Sequence, residues 1–446
     1  MTFLDSFLKK RNYSSDKQKV VANIYWAVLG KCVNLLGSLI VGIIVARYLG
    51  PDQYGLMNYV ISFVTMFQVF ADFGLDNIQI REESKNLNDR DKLIGTTFIL
   101  KLACAAVAIL LISLFSYLYV DDVRTIMLIL LYSATIIFNT TWVIRNHFTA
   151  MVWNEYIVKT EISRTVIGIA IKLILLYFKA PLSWFVAALV LDSILLASGY
   201  SLSYSKKIGR IRKWTFDKEC ARYLLSQSFP LLLSGTALVI YHRIDQVMIG
   251  DMLDNQSVGI YAVATRFVEV MIFVPTIIAQ TVTPLLVKMR KETPERYDRM
   301  ASMFMNVTVW LCAIMAVAVS MIAYPLVYFT FGSQYLAAVS VLMIMAYKVI
   351  GDALSQMSGQ LIIVEGKQKY VSLRNVIGCV VCVALNGLFI PRYGIYGAAV
   401  VSIVTVLSSG LVANFIIPSY RQIFCRQVMA LFIGWKDIAN IKSLLR

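Results

Sequence analysis

Long apolar stretches follow one another through almost this whole chain, with only short polar breaks between them. A helix needs about 20 apolar residues to cross the hydrocarbon of a bilayer. Stretches of that length recur at roughly 20–47, 56–80, 94–120, 124–146, 156–178, 182–204, 223–250, 258–287, 300–323, 336–364, 371–390 and 395–418. Of the 446 residues 59% are hydrophobic and only 15% charged, too few charges to cover a soluble body of this size. The pattern predicts an all-α, polytopic membrane protein of about twelve spans.

The basic residues sort to one side of this ladder. The odd-to-even connections hold only Arg47, Arg124, Lys179 and Arg392. The opposite side carries Lys9, Lys10, Arg11, Lys17 and Lys19, then Lys206, Lys207, Arg210, Arg212, Lys213, Lys218 and Arg222, then Lys288, Arg290, Lys291, Arg296 and Arg299. The positive-inside rule therefore predicts cytoplasmic termini and a cytoplasmic middle connection. It also accounts for the net charge of +16 without nucleic acid, since basic runs that flank helices attract anionic lipid. Phe3, Leu4, Phe7 and Leu8 give the N-terminal tail an apolar face. Ile423, Phe424, Val428, Leu431, Phe432, Trp435 and Ile438 do the same for the C-terminal tail, against Arg426, Lys436 and Lys442.

Six spans lie on each side of the basic connection. The expected organisation is a basic interfacial tail (1–19), an N-lobe (20–204), a basic connection (205–222), a C-lobe (223–418) and an amphipathic tail (419–446). Gln53-Tyr54-Gly55 at the start of span two is echoed by Ser257-Val258-Gly259 at the start of span eight, after similar short turns at Gly50-Pro51-Asp52 and Asp254-Asn255-Gln256. With six spans per half, such repeats are parallel, related by an axis along the membrane normal. The two turns are expected to approach each other when the cavity between the lobes faces inward.

The sequence contains no Walker A motif, no His-Glu-x-x-His and no G-x-S-x-G. Its two histidines, His147 and His242, lack metal-ligand neighbours at useful spacing, so no cofactor or metal is expected. Cys379 and Cys382 lie within an apolar span and read as packing residues. The candidates for function are ionisable residues inside spans, each costing about 2.5–3.5 kcal/mol at the bilayer centre on insertion scales. Lys31, Arg243, Arg266 and Lys348 are candidate anion-binding groups. Asp72, Asp245, Glu269 and Asp352 are candidate supporting or ion-coupling groups. Arg266 and Glu269 share a helix face, as do Lys348 and Asp352, so each couple also reads as a neutralised pair. Asp72 is a possible inter-helix partner for Lys31. Lys101 and Asp76 read as groups that reach back to the interface. Tyr241, Tyr261 and Phe267 lie near the charges and could stack on sugar rings.

Three blocks carry a resemblance. The first is Ala46-Arg47-Tyr48-Leu49-Gly50-Pro51-Asp52-Gln53-Tyr54-Gly55, continuing to Asp72-Phe73-Gly74-Leu75. The second runs from Ser228-Phe229-Pro230-Leu231 through Arg243-Ile244-Asp245-Gln246-Val247-Met248-Ile249-Gly250 to Arg266-Phe267. The third is Pro391-Arg392-Tyr393-Gly394-Ile395-Tyr396-Gly397. Together they resemble Wzx-type polysaccharide flippases of the multidrug/oligosaccharidyl-lipid/polysaccharide exporter superfamily. The resemblance implies a V-shaped bundle of two lobes around a central cationic cavity. It implies transport of undecaprenyl-diphosphate-linked oligosaccharide repeat units across the bacterial inner membrane, for O-antigen, capsule or exopolysaccharide. A polysaccharide polymerase and a chain-length regulator would be the partners, and H+ or Na+ are open as coupling ions. Lipid II flippases of that superfamily carry two further spans, for which the C-terminal tail here offers only an amphipathic segment.

The expected function is thus transport and not catalysis. A cation-coupled multidrug exporter would want a net acidic cavity, whereas basic candidates prevail here. A membrane glycan polymerase or ligase would want a long catalytic outer loop, and the span reading leaves no such loop.

Overall fold

The structure, a computed structural model, describes the backbone of residues 15–85 and 89–439, and the side chains of residues 30, 33–34, 37–85 and 89–437. Residues 1–14 of the expected interfacial tail (1–19) lie outside the described residues, as does the side chain of Lys31. The chain is all-helical there, without strands: α1 (Ser15–Asp72), α2 (Leu75–Lys85), α3 (Arg90–Tyr119), α4 (Val123–Asn139), α5 (Trp142–Ala150), α6 (Asn154–Tyr177), α7 (Leu182–Lys207), α8 (Lys218–Met252), α9 (Asn255–Glu292), α10 (Pro294–Met321), α11 (Ala323–Thr330), α12 (Ala338–Met345), α13 (Lys348–Val364), α14 (Val371–Leu407), α15 (Ala413–Ile416), α16 (Arg421–Ile433) and α17 (Trp435–Ala439).

Nine stretches among the described residues are long and apolar enough to cross a membrane. Two of them, Gly37–Lys85 and Gln368–Ile416, each hold a backbone break that divides one span from the next. Gly50 takes φ 74 and Gly394 takes φ 59, a left-handed region open to glycine without steric penalty. Pro51 follows the first break, where a missing N–H at a helix start loses nothing. The remaining expected span is α6, whose Glu161, Arg164 and Lys172 keep it out of the most apolar class. Each of the twelve stretches read from the sequence therefore has its helix.

The chain divides into two compact units, Met1–Tyr48 with Phe67–Leu232, and Leu49–Met66 with Leu233–Arg446. In the first, Ile94, Val143, Ile144, Phe148, Ile157, Tyr200 and Tyr204 form a buried core. The basic connection docks onto it. Trp214 packs on Phe98 and donates through Nε1 to the Tyr204 hydroxyl at 3.1 Å. A Cβ on Gly95 would meet the Thr215 carbonyl oxygen at 2.6 Å, so glycine is what admits this backbone. Asp217 accepts from the Cys220 N–H at 2.7 Å and faces Lys92 at 3.1 Å. These hydrogen bonds, the backbone one first, hold its carboxyl below the usual carboxylate range.

The structure corrects the reading of Lys101 and Asp76 as interface-seeking groups. Lys101 is 1% exposed and lies between Asp76 (2.6 Å) and Asp72 (3.2 Å). Phe73 (φ 47) and Gly74 (φ 70) break the helix between the two aspartates and turn both toward one lysine. The Asp72-Phe73-Gly74-Leu75 block is thus a helix break with an ion-paired clasp. Asp72 is engaged by Lys101, and the side chain of Lys31 lies outside the described residues.

In the second unit the start of span two crosses the start of α9 at backbone contact. A Cβ on Gly55 would collide with the Asn255 carbonyl, and one on Gly259 with the Pro51 carbonyl. Pro51 and Gly55 correspond to Asn255 and Gly259 in the repeat, so the contact is reciprocal, as a local two-fold relation makes it. Tyr59 donates to Asp251 at 2.7 Å and Ser62 to Gln246 at 2.8 Å along the same seam.

A π-helical turn, Ser408–Val412, interrupts the last span. Such a bulge leaves carbonyls without their usual helical donors. The tail helix α16 supplies one: buried Gln427 donates to Gly410 O (2.9 Å) and Leu354 O (3.1 Å), and accepts from Asn414 (2.9 Å). The faces of this segment differ from the expected division of apolar against basic residues: Ile423, Ala430 and the polar Arg426 and Gln427 are buried, whereas Met429, Phe432, Ile433 and Trp435 are exposed. Gln427→Leu strands these partners and should destabilise the protein by roughly 1–3 kcal/mol in denaturant unfolding in micelles. An unchanged unfolding midpoint would show that the tail is not pinned here.

Candidate functional site

The polar cluster in the second unit is built from three spans. α8 carries His242, Arg243 and Asp245, α9 carries Tyr261, Arg266 and Glu269, and α13 begins with Lys348 and carries Asp352 one turn on. Glu269 serves two guanidiniums: Arg266 Nη1 lies 3.1 Å from it and Arg243 Nη2 3.8 Å. The side chains of Arg243 and Arg266 are each 32% exposed and that of Glu269 39%, so a ligand can reach them. Two fixed cations on one carboxylate leave an excess positive charge. The Tyr54 hydroxyl lies beside Arg266. Tyr54 is fully buried, edge-on to Tyr335 with centroids 6.3 Å apart.

Lys348 and Asp352 do not make the direct ion pair that their spacing suggested. Among the described residues no carboxylate oxygen lies within 4.0 Å of Lys348 Nζ, although Lys348 is buried and its charge acts on both Asp245 and Asp352. Asp352 Oδ2 is buried without a hydrogen-bond partner. The order is the weaker one for an i,i+4 pair, with the cation N-terminal to the acid. Asp245 is satisfied otherwise, by the Tyr261 hydroxyl at 2.5 Å and the Gln246 N–H at 2.8 Å.

The aromatic candidates for sugar stacking are mostly committed elsewhere. Tyr261 is buried on Asp245, and Phe267 packs edge-on to Phe331 with centroids 5.5 Å apart. Tyr241 is half-buried against His242. Arg243, Asp245, Arg266, Glu269, Lys348 and Asp352 come together in this unit; Asp72 belongs to the first. In the first unit Lys172 pairs with Asp192 at 2.6 Å, and Arg164 Nη2 donates to Asn34 Oδ1 at 3.2 Å.

Arg374 was not singled out from the sequence. It is buried near the start of α14, where Nε donates to Ser409 O (3.1 Å) and Nη2 to the hydroxyls of Ser358 (3.2 Å) and Ser355 (3.3 Å). In the sequence it is a cation close to a span end, with nothing beside it to mark its partners. Only the π turn, which turns Ser409 O toward it, reveals one.

Residues 20–290 match the family described as polysaccharide biosynthesis protein. The chain belongs to that family. Across 416 residues it is 21% identical to a Shigella flexneri protein whose name assigns it to O-antigen transport, covering 89% of this chain and 97% of that one. Its fold is that of the multidrug/oligosaccharidyl-lipid/polysaccharide exporter superfamily. The lipid II flippase MurJ in an inward closed conformation superposes with a TM-score of 0.69 at 15% identity, over 94% of this chain and 93% of that one. An inward-facing multidrug resistance MATE transporter gives 0.66 at 14% identity, over 92% and 96%. This polysaccharide biosynthesis protein is therefore a multi-pass membrane protein with a transporter fold.

Proposed function

We propose that this polysaccharide biosynthesis protein moves undecaprenyl-diphosphate-linked oligosaccharide repeat units across the bacterial cytoplasmic membrane. The observation that carries the reading is the reachable pair Arg243 and Arg266 sharing one carboxylate. A diphosphate cannot enter hydrocarbon unaided, and fixed cations lower that barrier. A drug cation would need a net acidic group in place of two guanidiniums on one carboxylate. Lys31 is kept as a further diphosphate contact from the N-lobe, and Asp245, Glu269 and Asp352 as groups that hold the cations in place.

Membrane potential supplies a driving force of about 2.3 kcal/mol per charge per 100 mV. Two charges at about 150 mV gain roughly 7 kcal/mol on moving outward, less any charge the protein returns. With both termini in the cytoplasm, the crossing of Gly55 and Gly259 lies at the outer ends of spans two and eight and serves as the outer gate of an alternating-access cycle. Polymerase and chain-length regulator receive the product outside.

The test is export in cells that lack their own flippase. Arg243→Ala, Arg266→Ala and Lys31→Ala should each reduce surface glycan by at least about tenfold, equivalent to about 1.4 kcal/mol of barrier, at unchanged protein abundance. Full glycan display in all three would remove the anion-binding assignment.

A further inference from the structure

The most enclosed titratable pair among the described residues lies outside the substrate cluster. Glu83 on α2 and His147 on α5 are each 1% exposed, with His147 Nδ1 at 2.6 Å from Glu83 Oε2. The other carboxylate oxygen accepts from Gln79 Nε2 at 2.7 Å, and Gln79 also donates to Val143 O at 2.8 Å. Asn146 donates to Gln79 Oε1 at 3.1 Å and to Asp76 at 2.6 Å, which ties the pair to the Lys101 clasp. His147 Nε2 is buried and has no hydrogen-bond partner. Its ring stands edge-on to Tyr204 (5.9 Å between centroids) and Trp153 (6.1 Å).

We propose that Glu83 and His147 bind one proton and exchange it during the transport cycle, so that H+ is a ligand of this protein. The proposal rests on the transport reading above. With one proton between them the pair is neutral; with none it is a buried, uncompensated carboxylate. The neighbouring charges are engaged elsewhere. From α3, Arg90 pairs with Asp91 at 3.1 Å, and Lys101 with Asp72 and Asp76. From α6, Glu161 faces Arg145 at 3.5 Å. From α7, Lys207 lies over Trp153, and Tyr204 donates to Asp91 at 3.4 Å. A wholly structural pair would be expected to satisfy every buried polar atom, and Nε2 is not satisfied. That nitrogen gains a partner only if α5 and its surroundings rearrange or hydrate.

The chain has only two histidines, which makes the pair directly observable. Full-length protein with 15N-histidine in lipid nanodiscs, with His242→Gln for assignment, should show both imidazolium and imidazole forms of His147 across a pH series. Glu83→Gln should leave it neutral throughout. A His147 fixed in one protonation state, or a titration unaffected by Glu83→Gln, overturns the proton site. In liposomes with a pH gradient at zero potential, a fluorescent undecaprenyl-diphosphate disaccharide is the probe. Glu83→Gln and His147→Gln should lose gradient-driven movement at least about tenfold while potential-driven movement persists. Equal loss of both, or of neither, overturns coupling through this pair. If the wild type moves no probe under either force, the transport reading fails, while the histidine spectra still decide the proton site.

Discussion

Gly55→Ala and Gly259→Ala should each destabilise the protein and stop transport, whereas Gly359→Ala should do neither. All three glycines are helical, and in an open helix position alanine is the better residue by about 1 kcal/mol. Gly359 has nothing within 4 Å of a built Cβ, so its substitution should be neutral or stabilising. At Gly55 and Gly259 the methyl would meet backbone carbonyls of the facing helix, which cannot rotate away. Overpacking of this kind costs roughly 1–3 kcal/mol, and a rigid obstacle puts it at the upper end. The sign of the change therefore differs between chemically identical substitutions. Denaturant unfolding reads it, and glycan display in cells reads its consequence. Tolerance at Gly55 equal to that at Gly359 would mean that the crossing opens without effect.

Lys101→Met is the second large effect. Breaking a buried pair by removing one partner typically costs about 3–5 kcal/mol, because the remaining charge stays behind. Here two carboxylates would be left facing each other across the break at Phe73 and Gly74. Their 28% side-chain exposure admits some solvent, so the loss should fall toward the lower bound. Adding Asp72→Asn and Asp76→Asn to Lys101→Met should recover most of the stability, which unfolding midpoints measure. A triple variant no more stable than Lys101→Met alone would show that the loss comes from packing and not from charge.

The spans were legible because the apolar stretches are long and the breaks at Gly50 and Gly394 fall between them. The reciprocal seam at Gly55 and Gly259 was foreshadowed by the repeat around Tyr54 and Val258. The clasp at Lys101 was not legible, since it depends on a helix break that turns residues four apart onto a third helix. Position along the span alone suggested snorkelling. Spacing predicted the Lys348–Asp352 contact, but side-chain direction at the first residue of a helix is set by tertiary packing. Arg374 stayed hidden because its partners are hydroxyls and a carbonyl in distant segments, with no acidic neighbour in sequence to announce it. Glu83 and His147 are separated by 64 residues, and only the packing of α2 on α5 joins them.

The central claim is that fixed cations in the second unit carry a lipid-linked diphosphate through the membrane. Its most direct measurement uses purified full-length protein in liposomes with the fluorescent undecaprenyl-diphosphate disaccharide in both leaflets. A membrane-impermeant quencher reports which leaflet the probe occupies as a potassium-diffusion potential is imposed. The account predicts potential-dependent transfer toward the positive side, reduced at least about tenfold in Arg243→Ala and Arg266→Ala. Transfer at the rate of protein-free liposomes, or equal transfer by wild type and both variants, would contradict it.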